Sequence, residues 1–262
     1  MIALTKAVPA WTRRACAAGV ALSAALLLAL GPAHADSDAL WNVVHNLCVP
    51  NQEQYGRSAP CAVVSLTGGE QHGYVLLKDL VGATQFLLMP TARVTGIESP
   101  AVLAGDAPNY FAIAWRSRTY VEGIVHTTLP RDDVSLAVNS MYGRSQNQLH
   151  IHIDCVRADV RYALRVMEPA IGAGWAPLGV QLVGHPYLAM KVDGEQLAAN
   201  PFKLLADGVP GAREDMGRHT LVVVGATFET GGDGFIILDG RADASTGNTG
   251  SGEELQDHTC TS

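Results

Sequence analysis

One eight-residue run limits what this chain can fold into: Gln148-Leu149-His150-Ile151-His152-Ile153-Asp154-Cys155 alternates polar and apolar side chains. A strand points successive side chains to opposite faces. Leu149, Ile151 and Ile153 then face a core, while Gln148, His150, His152 and Asp154 share the other face. Four polar groups in a row, two of them imidazoles, are costly to set beside a core unless they line a site. Just ahead of them Gly143-Arg144-Ser145 offers a turn, a cation and a hydroxyl. The combination suits a phosphate with a histidine beside it.

Residues 1–35 stand apart. Lys6, Arg13 and Arg14 make a basic start, no acid precedes Asp36, and Ala15 to Leu30 is small and apolar. Ala33-His34-Ala35 has the small-x-small pattern of a secretory cleavage site. Ala15 to Ala33 also approaches the roughly 20 residues that span a bilayer, with its basic flank favouring a cytoplasmic N-terminus. A cleaved signal and a retained single span both stay open. Both place residues 36–262, expected as one domain, beyond the cytoplasm.

Without those three cations the net charge of −7 becomes −10. So acidic a domain has no phosphate-neutralising surface for nucleic acid and no broad basic patch for an anionic membrane. Lipid contact must come from the N-terminal segment or an apolar groove. Of five cysteines, Cys16 lies in the leader, leaving Cys48, Cys61, Cys155 and Cys260 as an even set for an oxidising compartment. Three pairings exist. We favour Cys48–Cys61, close in sequence, with Cys155–Cys260 tying the motif strand to the C-terminal region. No two cysteines have the short spacing of a structural zinc site.

Periodicity predicts helices over residues 38–47, 109–121 and 158–167, and another opened by Asn200-Pro201. Strands are expected over residues 73–77, 84–89, 134–138, 148–155 and about 187–191. A hairpin over 221–228 and 234–238 turns on Gly231-Gly232-Asp233. Ser251 with Glu254 reads as a capping box for a last short helix. Hairpins with interspersed helices predict an antiparallel α+β domain.

Gly143-x-Ser145-x-x-Gln148-Leu149-His150-Ile151-His152 resembles the histidine-triad (HIT) signature, a Gly-x-Ser/Thr turn followed by three histidines alternating with apolar residues. Aligned on the turn, Gln148 takes the first triad place, His150 the middle and His152 the third. A register with His150 first and Asp154 last would break the Gly/Ser spacing. Further segments resemble the bacterial CDP-diacylglycerol pyrophosphatases: Asn139-Ser140, Gly73-Tyr74-Val75, Leu77-Lys78-Asp79-Leu80, Leu88-Met89-Pro90-Thr91, Arg157-Ala158-Asp159-Val160-Arg161 and Gln256-Asp257-His258-x-Cys260. The likeness runs from about Leu40 to Cys260. It departs at Gln148, where that family can carry a histidine.

The resemblance implies a HIT-like antiparallel sheet with flanking helices and a C-terminal extension. It implies hydrolysis of CDP-diacylglycerol to CMP and phosphatidate, with no cofactor and no metal. His150 would attack phosphorus, His152 would handle the leaving group and water, and Gln148 would orient the array. Asn139, Ser145 and Arg144 would bind substrate phosphate, and Asp79 the ribose hydroxyls. Arg144 does so only if the turn folds over the site. His185, Arg213 and His258 fall in matching segments without an assigned role. In a bacterium the N-terminal segment would be a single inner-membrane span with the domain in the periplasm, or be cleaved after Ala35 to leave a soluble periplasmic form. A homodimer stays open. So do a broader nucleoside-diphosphate hydrolase, a nucleotide-binding protein without turnover, and a metal-binding β protein using His150 and His152.

Overall fold

The computed structural model describes residues 36–261, so the expected leader and Cys16 lie outside the described residues. Ten strands form one antiparallel sheet: β1 (Val63–Ser65), β2 (Tyr74–Lys78), β3 (Phe86–Pro90), β4 (Val134–Val138), β5 (Ile151–Val156), β6 (Ala176–Leu182), β7 (His185–Asp193), β8 (His219–Thr227), β9 (Asp233–Arg241) and β10 (Gln256–Asp257). Their order is β1-β2-β3-β5-β4-β8-β9-β7-β6, with β10 paired to β5. Flanking helices are α1 (Ala39–Val43), α2 (Val49–Tyr55), α3 (Tyr110–Arg116), α4 (Thr119–Val125), α5 (Ala158–Met167) and α6 (Pro201–Gly208). The fold is the α+β class expected from the hairpin pattern.

The two sheet faces are built differently. On one, Leu88, Leu136, Ile151, Ile153 and Val223 join a continuous core with Phe111 and Trp115 of α3 and Phe202 of α6. The other face carries two separate apolar clusters. Val75, Leu87 and Met89 pack with Val44, Cys48 and Cys61. Ala137, Val222 and Leu238 pack with Val160 and Leu164 of α5. His152 pairs with Leu87 on one side and Ala137 on the other, and so stands in the gap between the clusters.

Both favoured disulfides are formed, Cys48–Cys61 and Cys155–Cys260. The second fastens the chain after β10 to β5. Beyond the end of β3, β10 takes over that edge of β5, because Cys155 pairs with Val134 on its other side.

Several elements differ from expectation for identifiable reasons. The first helix runs on to Tyr55 through a π-helical turn, Val44–Cys48. Pro50 lacks the N–H that would bond one turn back, and the helix widens just before it. The helix expected over 109–121 is two helices, split where Ser117 Oγ bonds back to Ile113 O and Arg118 folds over the Trp115 ring. β5 begins at Ile151, not at Gln148. β6 has no alternating signal; it is an edge strand holding Pro177 with a register shift, positions where proline is tolerated. The last helix is a 3-10 turn, Gly252–Leu255, and Ser251 makes no side-chain cap to it.

Candidate active site

Gln148 anchors the approach to β5. Its side chain is buried, and Nε2 donates to Pro90 O (2.9 Å) and Ala92 O (3.0 Å). Leu149 N adds a bond to Val94 O (2.6 Å), so the residues before His150 are pinned to the chain leaving β3. The amide is fully used there. It is the main-chain carbonyl of Gln148 that accepts from His150 Nδ1, at 2.6 Å. A carbonyl only accepts, so Nδ1 holds the hydrogen and Nε2 keeps a lone pair. Burial, aided by the nearby His152, pushes the His150 pKa down to about 4, so the ring is neutral at neutral pH.

The His152 ring lies 4.8 Å from that of His150, nearly edge-on at 68°. Its surroundings are opposite in kind. Nδ1 donates to the side-chain oxygen of Gln85 (2.6 Å), whose nitrogen donates to Asp79 Oδ2 (3.1 Å) and Val81 O (3.3 Å). Nε2 lies 2.8 Å from Glu253 Oε2. A ring facing an acceptor at each nitrogen donates to both only when it carries two protons. Burial by itself raises the Glu253 carboxyl, but the bond and charge of His152, with Asn139, overcome it and bring the pKa down to about 2. Asn139 Oδ1 accepts from Glu253 N (3.2 Å) and Ser251 Oγ (3.4 Å), which fixes the turn that carries the carboxylate.

The structure thus gathers His150, His152, Gln148 and Asn139, and links Asp79 to them through Gln85. The Arg144 side chain is held within the fold. Its guanidinium grips both oxygens of Glu98 (2.6 and 2.7 Å) and packs on Gly96, where a Cβ would collide with it. Ser145 is exposed on the turn. Gly143 lets that turn press on the following loop, since a Cβ there would sit 3.0 Å from Gly250 O. Asp154 is fully buried, accepting from Thr84 Oγ1 (2.6 Å) and pairing with His258 Nδ1 (2.9 Å). That bond, against the effect of burial, raises the His258 pKa.

Glu253 and Gln85 escaped the sequence reading. Gln85 had a signal: it precedes β3 in phase with Leu87 and Met89, the residues facing the gap. Glu253, in a 3-10 turn beside a second glutamate, had none.

Another buried histidine–carboxylate pair lies elsewhere, His219 Nδ1 with Asp239 Oδ1 at 2.8 Å. It lines a cavity of about 810 Å³ together with Tyr187, Arg218 and Arg241. Among the described residues no helix is long and apolar enough to cross a membrane. A group of metal-type ligands, Asp154, Cys155 and Cys260, has both sulfurs engaged in a disulfide.

The family model for CDP-diacylglycerol pyrophosphatase matches residues 35–262. The CDP-diacylglycerol pyrophosphatase of Yersinia pestis is 41% identical to the chain over 226 residues, covering 86% of this chain and 84% of that relative.

Proposed function

The chain belongs to the CDP-diacylglycerol pyrophosphatase family, and from that premise we propose a two-step hydrolysis of CDP-diacylglycerol with His150 as nucleophile. The enzyme is a hydrolase of the pyrophosphate link between CMP and phosphatidate. Water attacks such an anion slowly, and a neutral imidazole divides one hard displacement into two easier ones. The lone pair on His150 Nε2 forms a bond to the phosphorus of the CMP half. The bond from that phosphorus to the bridging oxygen breaks, His152 gives that oxygen a proton, and phosphatidate leaves. Water then attacks the cytidylyl-histidine, giving a proton to His152; the nitrogen–phosphorus bond breaks and CMP departs.

The bond from His150 Nδ1 to Gln148 O carries this assignment, because it leaves the lone pair on Nε2. Glu253 faces His152 Nε2, Asn139 holds Glu253, and Gln85 with Asp79 supports the far side of the ring. The geometry favours that supporting role for Asp79 over the ribose contact expected from the resemblance. Ser145 and the amides of its turn serve the phosphate oxygens, while Arg144 braces the turn through Glu98. No metal or cofactor enters the scheme. Residues 1–35 are read as a signal or a single span, with residues 36–262 exported to the periplasm.

Acid-labile trapping of labelled CMP, mapped by mass spectrometry, tests the scheme. The label is expected on His150. A label on His152 overturns the register, and CMP binding without turnover supports a sensor instead. Equal turnover of a lipid-free nucleoside diphosphate derivative would widen the substrate class.

A further inference from the structure

A substrate with two acyl chains must be met at a bilayer surface. The described residues contain no spanning helix, and the acidic chain has no broad cationic face for attachment. Beside anything residues 1–35 contribute, lipid contact by the described domain then falls to apolar side chains. Among the exposed large apolar residues Leu80 stands out as fully exposed, at 100%, and its neighbour Val81 is 67% exposed. Together they form the tip of the loop between β2 and β3.

The tip is braced from both sides. Val81 N donates to Asp79 Oδ1 (3.1 Å), and Lys78 Nζ spans the loop to Asp79 O (2.8 Å) and Gly82 O (3.1 Å). Ala83 N donates to His258 O (2.8 Å). Gly82 passes so near that a Cβ would lie 2.7 Å from His258 Cβ, and its φ of +76° favours glycine. A slack loop would fold its leucine over a neighbour. Here Leu80 and Val81 are held outward. Behind them the Lys78 ammonium is satisfied by carbonyls, which leaves its positive charge available at headgroup depth.

The same loop reaches the site. Gln85 accepts from His152 Nδ1 and donates to both Asp79 and Val81 O. On the lipid substrate proposed above, we infer that Leu80 and Val81 insert into the surface of the bilayer that holds the substrate. The insertion sets the depth at which His150 and His152 meet the pyrophosphate. A protein partner is a poor fit, because a stable interface buries about 1,200 Å² or more and two side chains fall far short. A lipid surface has no shape to match and takes apolar side chains singly.

The test uses the purified full chain and a variant carrying Leu80→Asp and Val81→Asp. Each is assayed on CDP-diacylglycerol in vesicles of phosphatidylethanolamine and phosphatidylglycerol, and on a short-chain CDP-diacylglycerol dissolved as monomers. The variant is expected to lose about tenfold or more on vesicles while keeping the wild-type rate on monomers. Equal rates on vesicles overturn the inference. Equal loss on both substrates also overturns it, since the loop would then act only by supporting His152. A change in oligomeric state between wild type and variant would name a second copy as the occupant and overturn it too. If wild type cleaves neither substrate, the proposed function fails, a result separable from all of these. Leu80→Trp gives an independent readout: its emission shifts to the blue on adding vesicles, and an unchanged spectrum counts against insertion.

Discussion

Two histidine–carboxylate pairs in this molecule have the same contact distance, 2.8 Å, and different character: His152 with Glu253, and His219 with Asp239. Asp239 is 4% exposed on a strand, and burial outweighs His219 to raise its carboxyl. Glu253 sits on a short turn, still 35% exposed by side chain, and its neighbours win over burial to lower its carboxyl. His152 also has a second ring beside it with a free lone pair, and an amide behind it. The contrast teaches that a short imidazole–carboxylate contact does not make an active site. What separates the two is a second, neutral imidazole within reach, the nucleophile proposed above, and a carboxyl lowered by its neighbours where burial raises the other.

His150→Ala should break the comparison most severely, cutting CMP release by about 10⁴-fold or more with little change in melting temperature. Full activity would remove the nucleophile. Glu253→Gln comes next, with an expected fall in kcat of about 10²-fold and an altered pH profile. A normal profile would reduce Glu253 to the status of Asp239. The pH dependence itself is the third test. The folded-state pKa of His150 is depressed to about 4 from 6.5, so the neutral nucleophile persists well below the usual histidine range. The acid limb of kcat/KM that His150 governs should therefore fall near pH 4, and a limb near 6.5 would contradict its buried, neutral state. By linkage, its contribution to stability is full above pH 6.5 and is lost as pH falls through about 4, which thermal melts across that window can follow. The smallest effect on catalysis is expected from His219→Asn. It should cost about 1–3 kcal/mol of stability and leave kcat unchanged. A large loss of turnover would promote the second pair to a functional one.

Much of the site's frame was legible because its signals are local. The alternation from Leu149 to Ile153 placed three side chains in one core and left the histidines on the other face. Gly143 marked a turn that does press on the backbone at Gly250. Count left three cysteine pairings open, and the one favoured for the closeness of Cys48 to Cys61 is the one formed. What stayed hidden was delivered by tertiary contact. Glu253 is brought to His152 by a turn that Asn139 fixes and that leads into β10 on β5, and two residues of strand leave no periodic trace. Gln148 looked like an orienting amide, yet its side chain holds the loop after β3, and its carbonyl, which any residue would supply, meets His150. Arg144 was expected on substrate phosphate, and nothing near it in sequence announces its partner Glu98.

The Cys155–Cys260 bridge spans 105 residues, and Glu253 lies within the segment it fastens. A chain emerging N-terminus first brings out His150 long before the acid that completes its neighbour. On the proposed scheme the growing polypeptide carries its nucleophile before the acid that faces His152 has been made. The Cys155–Cys260 bridge thus joins a strand of the site made early to the segment of it made last.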